Sequence, residues 1–304
     1  MDLFAKDKRH KKKRLTKVIF VILLLAALSL IYFFNHKFAN NTGPVIRKGK
    51  LNLIQWDWQK DGIISLSGDW ELYVDKLITP QDFREAPLPQ KDLFFSVPAK
   101  INKYSLLTKD LTNTDYFTYR TQIRLPQNTD KKLALKFPLT IGTALKVWIN
   151  GQKIDLVGKL SRNKSELKPG WGSKVVDFNV EQSQLNIIIQ ASNYYNQSGL
   201  MGEIFLGPEE KIRTSEKKSI AFDMFLFGSL LIMAFYHLGL FVFRPEDTAP
   251  LYFSLFCLII NLRMAVVGEA FLVDYFNWSY SISYKMLLSY YLAVPLFCLF
   301  IASL

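Results

Sequence analysis

Cysteine is nearly absent. Cys257 and Cys298 are the only two in 304 residues, and both lie in apolar runs toward the C-terminal end. The polar part of the chain has no thiol to pair, which excludes a disulfide framework and a cysteine-ligated metal centre there. Histidine is almost as scarce, with three in all, so no metal site is expected. No phosphate-binding glycine loop, nucleophile elbow or kinase signature occurs. Asp57, Asp61, Asp69 and Asp75 form no recognisable catalytic pair, and the separation that glycoside hydrolysis needs between two carboxylates is not written in sequence spacing. The chain is therefore read as having no catalytic residues and no cofactor.

What the chain does have is apolar and basic. Half its residues are hydrophobic and 14% are aromatic, so membrane segments are sought first. The net charge of +12 is concentrated at the start, in Lys6, Lys8, Arg9, Lys11, Lys12, Lys13, Arg14 and Lys17. Directly after this tail, residues 18–34 form an apolar run with Ser29 its one polar residue besides the Tyr32 hydroxyl, about 26 Å long as a helix. A basic run can be a nucleic-acid arm. Beside an apolar segment it reads better as positive-inside orientation, and nucleic acid is set aside as a partner. A cleavable signal peptide is the rival for 18–34. The run ends Ile31-Tyr32-Phe33-Phe34-Asn35-His36, without a small-x-small site, which favours an uncleaved anchor.

The stretch 116–198 organises the polar region. Tyr119, Thr121, Ile123 and Leu125 point one way, and Arg120, Gln122 and Arg124 the other. That is the period of a half-buried strand. Leu133-Ala134-Leu135-Lys136-Phe137 repeats it. Leu145-Lys146-Val147-Trp148-Ile149 meets Asn150-Gly151 and returns through Gln152-Lys153-Ile154, a hairpin whose turn residues both tolerate positive φ. Val176, Phe178 and Val180, then Leu185, Ile187 and Ile189, make two further strands. Upstream, 63–66 leads into a Ser67-Gly68 turn, Trp70, Leu72 and Val74 share one face, and 93–97 is a strand ended by Pro98. Thr79-Pro80-Gln81-Asp82-Phe83 reads as a short helix start, capped by Thr79 with Pro80 at the first helical position.

After Gly207 no glycine or proline interrupts the chain between Pro208 and Gly228, so a helix is expected to run from the last strand into the next apolar segment. Three apolar runs follow, 220–243, 251–267 and 285–304, each long enough to span. The expected organisation is a cytoplasmic tail over 1–17, an anchor over 18–34, an antiparallel β-sandwich outside over 40–207, a helical linker over 208–219 and the first three helices of a membrane bundle over 220–304. Residues 35–219 then lie outside the cell membrane. Tyr275, Phe276, Trp278, Tyr280 and Tyr284 form an aromatic belt at the outer boundary. Asp223 and Arg263 lie at matched depth in the outer leaflet, where they either pair or snorkel to the interface. Lys285 and Glu269 belong to the same boundary. His237, near the inner end, is either a pH-sensing group or a plain interface residue.

Two resemblances follow. Thr118-Tyr119-Arg120, Val147-Trp148-Ile149-Asn150-Gly151-Gln152 and the late strand ending Ala191-Ser192-Asn193 resemble the sugar-binding jelly-roll domain that accompanies β-galactosidases and β-glucuronidases. That domain is not the catalytic one, and no barrel follows here. Leu66-Ser67-Gly68-Asp69-Trp70-Glu71-Leu72-Tyr73 with Leu77-Ile78-Thr79-Pro80, and Phe235-Tyr236-His237-Leu238-Gly239-Leu240-Phe241 with Leu251-Tyr252-Phe253-Ser254-Leu255-Phe256-Cys257, Leu262-Arg263 and Gly268-Glu269, resemble the bacterial seven-transmembrane receptors with diverse intracellular signalling modules. This resemblance covers most of 50–304. It implies an all-β, galactose-binding-like jelly roll outside, a helical bundle in the membrane and a signalling output, which in that family includes histidine kinases and nucleotide cyclases. The family has seven spans after the exterior domain; three are found here, so the chain is read as a truncated form.

The resemblance implies a small-molecule or glycan ligand, with the lipid bilayer and a second copy in a homodimer as further partners. Aromatics and amides on loops are the contacts a sugar uses. Trp171, in the loop Pro169-Gly170-Trp171-Gly172, and Asn193, Tyr194, Tyr195 and Asn196 are the candidates. The competing reading has Trp171 and Tyr194 plugging the end of the sandwich. Trp70 and Trp148 are assigned to packing, and Arg120 to a structural cation in the sheet. The leading function is a membrane receptor sensing a carbohydrate-like ligand. The alternatives are a membrane-tethered binding protein for envelope polysaccharide without signalling, and a membrane enzyme.

Overall fold

The alternation read above becomes two sheets that share one core. The computed structural model describes residues 43–99, 116–127, 129, 132–163, 165–192, 200 and 202–304. The segment 18–34 and the candidates Asn193, Tyr194, Tyr195 and Asn196 lie outside the described residues. From Pro44 to Leu304 the chain forms a single unit.

The strands among the described residues are β1 (Lys50–Asn52), β2 (Ile64–Ser65), β3 (Gly68–Val74), β4 (Leu93–Val97), β5 (Tyr116–Arg124), β6 (Lys132–Ile141), β7 (Leu145–Ile149), β8 (Gln152–Val157), β9 (Trp171–Asn179), β10 (Gln184–Ser192) and β11 (Phe205–Pro208). One sheet has the order β4-β3-β5-β10-β7-β8, with β1 added parallel to the far end of β5. The other has the order β2-β11-β6-β9. Every other pairing within these sheets is antiparallel. Trp70, Leu72, Tyr119, Ile123, Val147, Ile187 and Ile189 face Leu133, Leu135, Phe137 and Leu206 across the core. Each such side chain contributes about 1.5–3 kcal/mol by leaving water. The β7–β8 turn is the Asn150-Gly151 hairpin, with φ of 48° and 91°.

Two expectations are corrected here. Thr79 to Phe83 is not a helix but a turn: Asp82 Oδ2 accepts from the Thr79 amide (2.6 Å) and hydroxyl (2.8 Å). A carboxylate that binds local backbone competes with the helical ladder. Trp171 is not on a loop; it is the first residue of β9 and is 7% exposed. The segment after Lys76 lies across the outer face of the larger sheet. Ile78 donates its amide to Thr118 Oγ1 (3.1 Å), and its carbonyl accepts from Gln190 Nε2 (2.9 Å). The buried polar groups Thr118 and Gln190 are thereby satisfied.

A single helix, α1 (Glu209–Phe243), leaves β11 directly and runs for 35 residues, about 52 Å. After it come α2 (Ala249–Met264), α3 (Phe271–Phe276), α4 (Tyr280–Leu288), one 3₁₀ turn (Ser289–Leu292) and α5 (Ala293–Ala302). α1 and the stretch Tyr280–Ala302 are long and apolar enough to cross a membrane, and only 6% of each apolar window is buried within the protein. The last run is not one regular helix. Pro295 has no N–H to give to the carbonyl of Tyr291, and the ladder tightens to 3₁₀ just before it. α2 ends at Met264, short of the apolar run's end at Val267, because the chain there turns to meet the smaller sheet.

Candidate functional site

The helices grip the β domain at two places. The first is the root of α1. Its opening turns lie along β6 and β9, where Arg213 pairs with Asp177 and Lys132 Nζ lies 4.0 Å from Glu209 Oε2. The hydrogen bond to Asp177 raises the Arg213 pKa further above its usual value. Lys211 Nζ donates to the carbonyls of Trp58 (2.6 Å) and Gln59 (3.0 Å), and Ile212 is buried against the sheet.

The second contact is built by the connection from α2 to α4. Glu269 takes Lys136 of β6 as its ion partner and accepts from Ser173 Oγ of β9 (3.1 Å). Its own amide donates to Asp223 Oδ2 of α1 (3.1 Å). Trp171 Nε1 donates to the Val266 carbonyl (2.7 Å), and Lys174 Nζ lies 2.9 Å from Asp274 Oδ1. Beneath these bonds lies a small apolar core of Trp171, Ala265, Val266, Ala270 and Val273, with Phe227 of α1 packed against it. Gly268 sits at φ 71°, and a Cβ there would stand 2.5 Å from Asp223 Oδ2. Glycine is required by both the backbone and the close approach. The Lys136 and Glu269 side chains are only 15% and 12% exposed. A pair that dry is held in register by its partners, and losing either one leaves a buried charge.

This arrangement joins three elements, sheet, α1 and loop, at one charge cluster. Among the described residues no group of three or more His, Cys, Asp or Glu is placed to hold a metal ion.

The residues singled out by sequence fall in several places. Trp171 lies inside the helix contact rather than at an open loop. The expected Asp223–Arg263 pair is absent among the described residues. Asp223 turns to the Glu269 amide, and Arg263 lies over the Tyr290 ring at 5.0 Å. Arg120 is a structural cation, with Nη1 3.2 Å from Glu71 Oε2 and its guanidinium over Phe83 at 4.1 Å. His237 Nδ1 lies 2.9 Å from the Met233 carbonyl, and its ring packs 4.5 Å from Phe253 of α2. In the amide orientation that satisfies both groups, Asn261 of α2 bonds Phe227 O (3.1 Å) and Leu231 N (3.0 Å) of α1. Sequence reasoning missed Lys136 and Ser173 altogether. The one sign of Lys136 was a lysine on the outward face of an apolar strand; nothing in the spacing tied it to Glu269, 133 residues away.

Residues 219–304 match the family model described as 7TM diverse intracellular signalling, a family of membrane receptors. Among solved structures, similarity is found to the β-glucuronidase of Ruminococcus gnavus, at 18% identity over 47% of this chain and 28% of that chain, with a TM-score of 0.36. The β-glucuronidase of Faecalibacterium prausnitzii is similar at 17% identity over 48% of this chain and 31% of that chain, with a TM-score of 0.37. The chain thus covers less than a third of either enzyme. No curated protein matches.

Proposed function

Because residues 219–304 match a membrane-receptor region, we propose that this chain is the sensing and first transmembrane part of a bacterial signalling receptor. The β domain lies outside the cell membrane as a jelly roll of galactose-binding type and takes a small, carbohydrate-like ligand. The crossing of the chain between sheets at most connections from β5 onward supports the jelly-roll reading. Residues 1–17 stay in the cytoplasm, 35–219 lie outside, and the output module follows the membrane bundle. The observation that carries the signalling reading is the second contact. A mere tether has no use for a loop that ties β6, β9 and α1 together through Lys136, Glu269 and Asp223.

Ligand acts in this scheme by favouring one of two packings of that contact, so it must bind the two with different affinity. The test is amide hydrogen exchange on the chain in lipid nanodiscs, with and without saccharides that raise its melting temperature. A receptor changes exchange in residues 265–274 when ligand binds the β domain. Protection confined to the ligand's own contacts, with 265–274 unaltered, identifies the tethered polysaccharide-binding protein instead.

A further inference from the structure

The larger sheet has a groove at the end away from the second contact. A space of about 510 Å³ opens between the Asn150-Gly151 turn, the covering segment at Phe83 and Arg84, and the β9–β10 connection at Gln182; Arg120 and Asn186 are at its floor. Strand β9 joins the two places. It begins at Trp171 against Val266 and ends at Asn179 on the groove, about 26 Å away at strand rise.

The polar equipment of the groove is unevenly used. Arg120 donates from Nε to Asn186 Oδ1 (3.3 Å) and from Nη1 to Glu71 Oε2 (3.2 Å), while Nη2 has no hydrogen bond among the described residues. Its guanidinium is held flat on Phe83, so the remaining donor is fixed in place before any ligand arrives. Arg84 has neither an ion pair nor a side-chain hydrogen bond among the described residues, yet it lines the same space. Asn150 spends its Oδ1 on the Asn186 amide (2.8 Å), and Asn186 spends its Oδ1 on Arg120. Both keep their NH₂ groups to donate. Gln152, Asn179 and Gln182 add further amides, and Glu181 is the single carboxylate among the lining residues.

Guanidinium forks match carboxylates, and side-chain amides match hydroxyls. A neutral sugar offers the arginines only single hydroxyl acceptors, whereas a carboxylate matches a guanidinium in charge and in its two-oxygen fork. We propose that this groove binds an acidic saccharide, with its carboxylate held by Arg84 and Arg120 Nη2 and its hydroxyls by Asn150, Asn186 and Gln182. This assignment rests on the saccharide-receptor reading above and names the ligand class for it.

The test is calorimetric titration of the chain in neutral-lipid nanodiscs with trigalacturonic acid. Galactotriose, which differs in lacking the carboxylates, is the control. The acidic trimer should bind at least about tenfold more tightly than the neutral one. Arg84→Ala should remove about tenfold of that affinity and flatten its salt dependence. Gln182→Ala should weaken both sugars alike. Arg84 supports nothing else, so the unliganded melting temperature should not move. Should Arg84→Ala fail to fold, Arg84→Glu in a folded preparation serves, and it should abolish acidic binding. Equal affinity for the two trimers, or acidic binding untouched by the Arg84 variants, overturns the site. Binding of either sugar that neither Arg84→Ala nor Gln182→Ala weakens overturns the site but leaves the saccharide receptor standing. No binding of either sugar, with exchange in 265–274 unaltered across a wider saccharide panel, overturns both.

Discussion

Replacing Trp171 by alanine separates a coupling role from a sugar-stacking one. The indole is 7% exposed, donates to the Val266 carbonyl at 2.7 Å and lies 5.8 Å from the Tyr280 ring. Truncating a buried tryptophan costs about 3–5 kcal/mol in a well-packed core. The core here is small, so the lower end, about 3 kcal/mol, is the better figure. It includes the Val266 carbonyl left without its donor, which accounts for about 1 kcal/mol. That energy is local. Trp70, Tyr119 and Ile123 belong to the main core, a separate apolar cluster. Opening of residues 265–274 should therefore become on the order of 100-fold more frequent, while amides of β5 and β10 keep their protection. Hydrogen exchange in nanodiscs reads both at once. Trp171→Phe, which keeps the ring and loses the donor, should show roughly tenfold at most. Uniform loss of protection across β5, β10 and the loop would refute the reasoning, since Trp171 would then belong to the global core. Unchanged exchange in 265–274 would refute it from the other side.

Further expectations concern the same contact and the sheet. Lys136→Met or Glu269→Gln alone should loosen the 265–274 segment, by about 3–5 kcal/mol for a charge left buried, and the double variant should recover most of it; additive losses in limited proteolysis would count against the pair. Gly268→Ala places a methyl against Asp223 at φ 71°. It should cost about 1–2 kcal/mol for the backbone alone, read as faster proteolysis of the loop. Burial beside Glu71 pushes the Tyr73 hydroxyl up to about 12, above its unfolded value of about 10. The folded protein keeps that proton while the unfolded chain loses it, so this contribution is complete below about pH 10 and fades as pH rises through 12. Tyr119, buried without a hydroxyl partner among the described residues, shifts in the same direction. In denaturation between pH 9 and 12, Tyr73→Phe should show a shallower loss of stability than the parent; parallel curves would dismiss the effect.

Sequence by itself determined the elements whose cause is local. Alternation in Tyr119 to Leu125 and the positive φ tolerated by Asn150-Gly151 dictate strand and hairpin wherever one face is buried. The stretch free of glycine and proline after Pro208 permits the unbroken α1, and the length of the apolar runs makes α1 and 280–302 long enough to cross a membrane. Tertiary structure decided everything that depends on which surfaces meet. Trp171 looked exposed beside two glycines, yet the loop of 265–270 covers it. Asp223 was matched in depth to Arg263, but depth fixes only one coordinate, and rotation about the helix axis aimed it at the Glu269 amide. Lys136, Ser173 and Glu269 come together from three segments because two sheets and a helix converge there. The groove at Arg84 and Arg120 depends on a covering segment folding back over the larger sheet. Contacts between segments far apart in sequence leave no period to read; they follow from packing, where each side chain's partner is set by the others around it.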